Sequence, residues 1–432
     1  MSGLLSGQSI GLLCIGAMLV LIALRCPIAL AMAGAGFVGF GLIVAFEPAL
    51  AILSSGPFEA MSNYGFSPIP LFILMGVFAT KARMSKEMFG AAKTLFGGWR
   101  GGMALAAVAS CGLFAAISGS SLATAASMSR VALPEMLKHG YSPRLAAGSI
   151  AAGGTLGIMI PPSIALLLYA LITEQSVGDM FLAGLLPGIL GMLLYCATIA
   201  VQIWLKPDLA GPSESTGWGE KLRGMVGLLP FTGVFLFIIG GLYFGVFTPT
   251  EAAAVGAALT MAIAFLRGMG WQGFREAVEE TLLTTAMIFF MIIGAEIFGY
   301  FLSVSQISQY LVDLVAGLGL GSFPVLIAIL ALYVLLGCVM DSLAMMLLTV
   351  PVVYPLILQA GYDPVWFGIL TVITVEMGLI TPPVGMNVFV INAASPEVSL
   401  KDAFQGSLPF VLSDLVRLAL ILAFPAIALA LL

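Results

Sequence analysis

Long apolar stretches with few polar interruptions dominate the sequence. Those at 11–24, 28–46, 181–205 and 228–247 contain no charged side chain, and each approaches or reaches the roughly 20 residues that a helix needs to cross a bilayer. The strands of a membrane β-barrel would instead be short segments in which apolar and polar residues alternate. The pattern therefore predicts an all-α polytopic membrane protein.

Ten apolar stretches are predicted to cross the membrane, and two more are predicted to enter and leave it on the same side. The ten crossings are 9–24, 28–46, 68–79, 146–173, 181–204, 226–246, 250–266, 281–302, 364–393 and 407–431. The two re-entrant hairpins are about 101–127 and about 323–349. Short amphipathic stretches precede the hairpins at 81–98 and 304–317 and are expected to form arm helices near the membrane interfaces.

The distribution of basic residues sets the orientation. With the N-terminus outside, every lysine and arginine except Arg417 falls in a cytoplasmic segment, as the positive-inside rule requires. A simple crossing at 101–127 would place the basic clusters on its two flanks on opposite sides, so a hairpin fits better. Both termini are then predicted to be periplasmic. No lysine or arginine precedes Arg25, so the first stretch reads as a retained span and not as a cleavable signal peptide.

Composition excludes several functional classes. Hydrophobic residues make up 61% of the chain and charged residues only 9%, far from the composition of soluble domains. The net charge of -5 without a basic tract gives no indication of nucleic-acid binding. Five scattered cysteines and one histidine are too few, and wrongly spaced, for a transition-metal site.

The sequence contains an internal repeat. The tracts 140–143 and 157–162 recur at 361–364 and 378–383, with a constant offset of 221 residues. Each copy contains five crossings and one hairpin, so the second copy must begin on the opposite side of the membrane. Such an inverted repeat with Pro/Gly-interrupted helices is typical of secondary transporters with a site near the membrane midplane. Duplication for structural reasons alone is the alternative.

Three segments follow from this repeat. The first half is 1–205, with its hairpin at about 101–127 and a broken helix at about 146–173. A polar cytoplasmic connector at 206–224 leads to the second half, 225–432. That half has its hairpin at about 323–349 and its broken helix at about 364–393.

Candidate chemistry lies at the hairpin tips and at the helix breaks. The first tip, 118–124 (SGSSLAT), is rich in hydroxyls; a helix N-terminus there offers N–H groups to a carboxylate, while freed carbonyls suit Na⁺. The breaks 153–163 (GGTLGIMIPPS) and 376–387 (EMGLITPPVGMN) contain glycines and paired prolines that free carbonyl groups. Small residues for close helix packing, and kinks without function, are the alternatives.

Acidic residues inside apolar segments are costly and are therefore functional candidates. Asp341 aligns with Ser120 in the repeat, and Glu376 aligns with Thr155. Their charge favours cation coordination or proton handling over direct contact with an anion. Asp414 and Arg417, three residues apart, are interpreted as a local structural pair.

The tip at 118–124 and the two proline motifs resemble those of the large membrane subunit of tripartite ATP-independent periplasmic (TRAP) transporters. The resemblance covers nearly the full length. It implies an elevator-type Na⁺ symporter in the bacterial or archaeal cell inner membrane that imports small organic anions such as C4-dicarboxylates, sialic or other sugar acids and keto acids. It also implies two partners, a small four-helix membrane subunit and a periplasmic substrate-binding protein.

The same resemblance implies site residues, with Na⁺ as coupling ion and no organic cofactor. The implied Na⁺ ligands are Ser118, Ser120, Gly153, Thr155, Asp341, Glu376 and Thr381. The implied substrate contacts are Ser121, Thr124, Pro161, Ser342, Pro382 and Asn387. Other functions stay open at this point: a stand-alone Na⁺- or H⁺-coupled carboxylate symporter, an intramembrane enzyme using Asp341 and Glu376, or a non-transporting scaffold. The sequence contains no HExxH motif, which argues against the enzyme alternative. We therefore expect no enzymatic activity.

Overall fold

The computed structural model describes residues 6–213, 217–317, 321–395 and 397–432. Among these residues most are helical, short turns connect the helices, and no strand is present. Residues 214–216 of the predicted connector at 206–224 lie outside the described residues. The secondary structure of the described residues therefore confirms the prediction of an all-helical fold.

Ten helices precede the connector within the described residues. They are α1 (Gly7–Ala23), α2 (Ile28–Ile43), α3 (Phe46–Ser62), α4 (Pro68–Lys81), α5 (Met84–Phe96), α6 (Gly102–Ser118), α7 (Ser121–Lys138), α8 (Pro143–Thr155), α9 (Ile164–Ile172) and α10 (Val177–Leu205). Ten more follow it. They are α11 (Trp218–Tyr243), α12 (Pro249–Leu266), α13 (Trp271–Ser305), α14 (Ile307–Gly317), α15 (Ser322–Gly337), α16 (Ser342–Gln359), α17 (Pro364–Ile380), α18 (Met386–Ala394), α19 (Leu400–Ala423) and α20 (Ala426–Leu429).

Polar side chains mark where several helices begin. Thr248 accepts a hydrogen bond from the backbone N–H of Glu251, whose carboxylate in turn accepts one from the N–H of Thr248. With Pro249 as the first helical residue, this capping box gives α12 a well-defined start. Ser176 and Ser399 cap α10 and α19 by accepting from the N–H three residues ahead.

Seven helices in the described part of the chain are long and apolar enough to cross a bilayer by length and composition. The five shorter apolar helices include α1, α2 and α17. Large apolar side chains point outward from many of them, for example Leu229 and Leu236 on α11, which are 63% and 60% exposed. Lipid is the solvent that suits such a surface. The number of crossings, ten by sequence, stays a prediction.

Several predicted segments differ from the helices. The second helix of each hairpin extends beyond its predicted limit, to Lys138 and to Gln359. The predicted span at 68–79 is preceded by a further helix, α3, and by a short 3₁₀ turn. These ends were missed because polar residues in 128–138 and prolines in α16 interrupt the apolar pattern, although the helical backbone continues through them.

The helices pack in two groups. In one, α13 packs along α2 and α4 packs along α12. In the other, α8 packs against α19, α15 against α17, and α7 against α8. The hairpin helices and the broken helices thus share the second group, and α4 and α13 face them from the first.

Candidate functional site

The first hairpin turns sharply between α6 and α7. Helix α6 ends at Ser118, and Gly119 adopts a left-handed backbone conformation with φ of 60°. Ser120 then caps α7 by accepting from the N–H of Ala123. The hydroxyls of Ser118 and Thr124 lie 2.7 Å apart, so they hold the two sides of the turn together.

The second hairpin has a similar turn with a carboxylate at the capping position. Helix α15 ends at Gly337 and α16 begins at Ser342. Asp341 caps α16, and its Oδ2 atom accepts from the N–H of Leu343 at 3.1 Å. One carboxylate oxygen thus stabilises the helix start, and the carboxylate also lines the cavity described next.

Both tips line one cavity of about 150 Å³. Its opposite wall comes from α4 and from the first half of α13. The polar residues that line it are Thr80, Ser118, Ser120, Ser121, Glu280, Thr284, Asp341 and Ser342. No lysine, arginine or histidine is among the described residues that line it. Among these residues, Glu280 and Asp341 are acidic. The positive ends of helix dipoles at the cavity come from the starts of α7 and α16.

Each tip lies against the break of a neighbouring helix. A β-carbon at Gly157 would lie only 2.6 Å from the carbonyl oxygen of Ser120, so the first tip touches the 3₁₀ turn that follows α8. A β-carbon at Gly378 would lie 2.6 Å from the Cα atom of Gly337, so the second tip touches the last turn of α17. Only glycine permits these approaches.

The two breaks have local hydrogen bonds of their own. Ser163 donates to the carbonyl of Ile158 at 2.5 Å and caps α9. In the second break, Thr381 donates to the carbonyl of Met377 at 2.5 Å, and the N–H of Gly385 donates to the carbonyl of Cys338 at 3.3 Å. The last bond ties the second break directly to the second tip.

The predicted Na⁺ ligands divide into two sets. Ser118, Ser120 and Asp341 line the cavity. Gly153, Thr155 and Glu376 are buried and do not line it, and Thr381 follows the last residue of α17.

Of the predicted substrate contacts, Ser121 and Ser342 line the cavity, and Thr124 lies behind the first tip. Pro161, Pro382 and Asn387 are not among the lining residues. Asn387 instead donates to the carbonyl of Ala151 at 3.2 Å. These ligand and substrate roles stay predictions.

A buried network of charged residues joins the two helix breaks. Arg417 forms an ion pair with Glu376 and lies 2.9 Å from Asp414. The hydroxyl of Tyr195 lies 2.8 Å from both carboxylate oxygens of Asp414 and 3.1 Å from the hydroxyl of Thr155. All five residues are fully buried. The interpretation of Asp414 and Arg417 as a merely local pair was therefore too narrow.

Sequence reasoning missed Tyr195 and the cavity residues Thr80, Glu280 and Thr284. Arg417 gave a signal, because it is the one basic residue that the positive-inside rule left inside a span. Tyr195 gave none, because an isolated tyrosine in an apolar helix resembles an interfacial anchor.

Paired hairpins and broken helices around a small polar cavity define a membrane transport protein. The fold is similar to that of the Alcanivorax borkumensis YdaH transporter, with a TM-score of 0.62 and 14% identity over 88% of this chain and 90% of that one. At this identity the similarity concerns the fold alone.

Sequence relationships give the family. Residues 15–427 match the family model described as tripartite ATP-independent periplasmic transporter, DctM component. The chain is 37% identical to the C4-dicarboxylate TRAP transporter large permease protein DctM of Pseudomonas aeruginosa, over 92% of this chain and 93% of that protein. It is 32% identical to the sialic acid TRAP transporter large permease protein SiaM of Vibrio cholerae, over 86% and 87%. The chain belongs to the family of TRAP transporter large permeases. It is a multi-pass membrane transporter and not an enzyme, so the intramembrane-enzyme alternative is set aside.

Proposed function

We propose that this chain is the large transport subunit of a Na⁺-coupled importer of small organic anions, and that the cavity between the two hairpin tips binds the substrate. The cavity carries the proposal: two helix N-termini, four serine hydroxyls and the Asp341 carboxylate meet there. N–H groups and hydroxyls suit a carboxylate. A carboxylate on the same wall suits a cation.

Sodium coupling would arise from the contact between each tip and its break. The tip carbonyls lie next to helix ends whose carbonyls lack helical partners, and oxygen ligands of this kind suit Na⁺. A Na⁺ ion bound there would order the tip and thereby complete the substrate cavity. Substrate and ion would each bind more tightly in the presence of the other, which is the requirement for symport.

The two halves would form an inverted repeat that moves as an elevator. In support, α6 to α10 have counterparts α15 to α19 in the same order, with both tips and both breaks at corresponding places. The cavity meets α13 at Glu280, Thr284 and Ile288, in the half nearer Arg267 and Arg275. Since those arginines are predicted to be cytoplasmic, this conformation would open towards the cytoplasm.

Two partners and a location complete the proposal. The chain would act in the cell inner membrane, with periplasmic termini, together with a small four-helix membrane subunit. A periplasmic binding protein would deliver the anion. Relatives named for a C4-dicarboxylate and for sialic acid match most of this chain, which supports a division of labour in which the soluble protein selects the substrate.

Uptake by reconstituted liposomes tests the proposal. The chain and its small subunit would be given an inward Na⁺ gradient and labelled C4-dicarboxylates, sialic acids or keto acids, with and without the binding protein. Uptake that needs both Na⁺ and the binding protein is expected. Uptake without the binding protein would instead support a stand-alone symporter, and uptake driven equally well by a proton gradient alone would contradict Na⁺ coupling.

A matched pair of variants links uptake to the cavity. Ser121→Ala removes a hydroxyl from the cavity wall, whereas Ser129→Ala removes one from the same helix where it donates to the carbonyl of Ala125. We expect a weaker apparent substrate affinity for Ser121→Ala only. Equal effects of the two would contradict the assignment of this cavity.

A further inference from the structure

Stability alone does not explain the formal charges in the buried network around Arg417. Two carboxylates and one guanidinium are fully buried between α10, α17 and α19. Buried ion pairs are on balance no more stabilising than apolar side chains of similar size. Charges inside membrane segments are costlier still, and they usually mark function. The network therefore calls for a functional explanation.

The network forms an unbroken polar connection between the two halves. The Tyr195 hydroxyl donates to Asp414. It also lies 3.1 Å from the Thr155 hydroxyl, which itself donates to the carbonyl of Ala152 at 2.7 Å. Arg417 then bridges Asp414 and Glu376 through its Nη2 atom. The connection runs from the last residue of α8 to the last turns of α17.

Both ends of the connection adjoin a contact between tip and break. Thr155 lies two residues before Gly157, which touches Ser120 of the first tip. Glu376 lies two residues before Gly378, which touches the second tip at Gly337. A displacement of either break would therefore strain a hydrogen bond that leads to the other.

We infer that Tyr195 and Arg417 are positioning residues that couple the two tip–break contacts, so that ion binding at one makes binding at the other more favourable. The inference rests on the proposed function, because it assumes a Na⁺ site at each contact. A buried polar network suits this role, since its hydrogen bonds are strong in a low-dielectric interior and are lost together when one member moves. The expected signature is a cooperative dependence of uptake on Na⁺.

Tyr195→Phe is the sharpest test, because it deletes the hydroxyl between Thr155 and Asp414 and keeps the ring. In the reconstituted complex with small subunit and binding protein, we expect the half-saturating Na⁺ concentration to rise by roughly 2- to 30-fold, the usual range for a residue that couples two sites. The Hill coefficient should fall towards one. The maximal uptake rate at saturating Na⁺ should stay close to that of the wild type.

Two further variants keep the test decisive. Tyr333→Phe is the matched control, because Tyr333 is equally buried but lies on α15 outside the network. The dependence of its uptake rate on Na⁺ concentration (the Na⁺ curve) should be the same as that of the wild type. Arg417→Lys retains the charge but not the two-carboxylate geometry, so it should shift the Na⁺ curve in the same direction, and it replaces Tyr195→Phe if that variant does not fold.

The possible failures are distinguishable. A wild-type Na⁺ curve in a folded Tyr195→Phe or Arg417→Lys protein would overturn the inference and leave the proposed function standing. A lower maximal rate with an unchanged Na⁺ curve would assign the network a purely structural role and would also overturn it. Wild-type uptake that does not respond to Na⁺ would overturn both proposals.

Discussion

Gly378 and Gly337 are in direct backbone contact, although 41 positions separate them in the sequence. A β-carbon on Gly378 would lie 2.6 Å from the Cα atom of Gly337, closer than real side chains approach. The second hairpin tip and the second helix break therefore form one unit, with no room for a side chain between them.

Gly378→Ala should force this unit apart. We expect the free energy of unfolding to fall by about 1–3 kcal/mol, as in other overpacked sites, and uptake to fall with it. Thermal unfolding in detergent and uptake in liposomes measure the two effects. Gly34→Ala is the control, because Gly34 lies on α2 where an added β-carbon would have nothing within 4 Å, and it should be neutral or slightly stabilising. Equal behaviour of the two variants would refute the contact.

Asp341→Asn should remove a charge from the cavity without removing the helix cap. Asparagine caps helices about as well as aspartate, so α16 should stay folded, and Na⁺-dependent uptake should be lost if the carboxylate binds the ion. Asp341→Ala should lose uptake as well, with an additional loss of about 1 kcal/mol in stability from the missing cap.

Asp363→Asn is the matched control for this prediction. Asp363 caps α17 by accepting from the N–H of Trp366 at 2.8 Å and does not line the cavity. Uptake by the Asp363→Asn variant should be close to that of the wild type. Undiminished Na⁺-dependent uptake by Asp341→Asn would end the assignment of Asp341 to ion binding.

Arg417→Met should leave two carboxylates buried without their cation. Breaking a buried ion pair from one side costs about 3–5 kcal/mol, so the unfolding temperature in detergent should drop markedly. Adding Glu376→Gln and Asp414→Asn to Arg417→Met should restore part of the lost unfolding temperature, because the two uncompensated negative charges are then removed. A triple variant no more stable than Arg417→Met would show that the charges are not the cause.

A surface bond between α8 and α19 should give a small, pH-dependent contribution to stability. The Ser399 hydroxyl and the Arg144 guanidinium hold the pKa of Asp402 below its usual range; the Arg144 Nε atom donates to Asp402 at 2.9 Å. A carboxyl with a lowered folded-state pKa stabilises the fold above its unfolded pKa, near 3.9, and this contribution disappears as pH falls through the folded value.

Arg144→Gln measures that contribution. The bond is exposed and screened by salt, so we expect a loss of less than about 1 kcal/mol at neutral pH. The difference between wild type and variant in thermal unfolding should narrow as pH falls below about 4, because Asp402 then becomes protonated in both. A difference that stays constant into strong acid would mean that another interaction of Arg144 is responsible.

The polar residues of the hairpin tips could be read from the sequence, but their meeting could not. Ser118, Ser120 and Asp341 stood out because hydroxyls and a carboxylate interrupt long apolar stretches. The sequence also related the two tips to each other through the offset of 221 residues. It could not indicate that Thr80, Glu280 and Thr284 close the cavity from the other side, because that depends on how the two groups of helices pack.

Glu376 shows most clearly which contacts the sequence alone could not predict. Its position inside an apolar span marked it as a functional candidate and an ion ligand, yet in the fold its carboxylate faces Arg417, which lies 41 positions further along the chain. One-dimensional spacing can pair residues three or four apart on one helix face, as it did for Asp414 and Arg417. It cannot pair residues on different helices.

Hydropathy, glycine and proline positions by themselves determined an all-helical membrane protein with hairpins and helix breaks, because in a bilayer every backbone polar group must be satisfied within the chain and apolar length sets each helix. The tertiary structure alone decided which polar groups meet. It brought both tips to one cavity and joined both breaks through Tyr195 and Arg417. Such contacts depend on the angles and positions at which helices pack against one another. The apolar surfaces of these helices are similar and would permit many packing arrangements, and only the packing of the whole fold selects one.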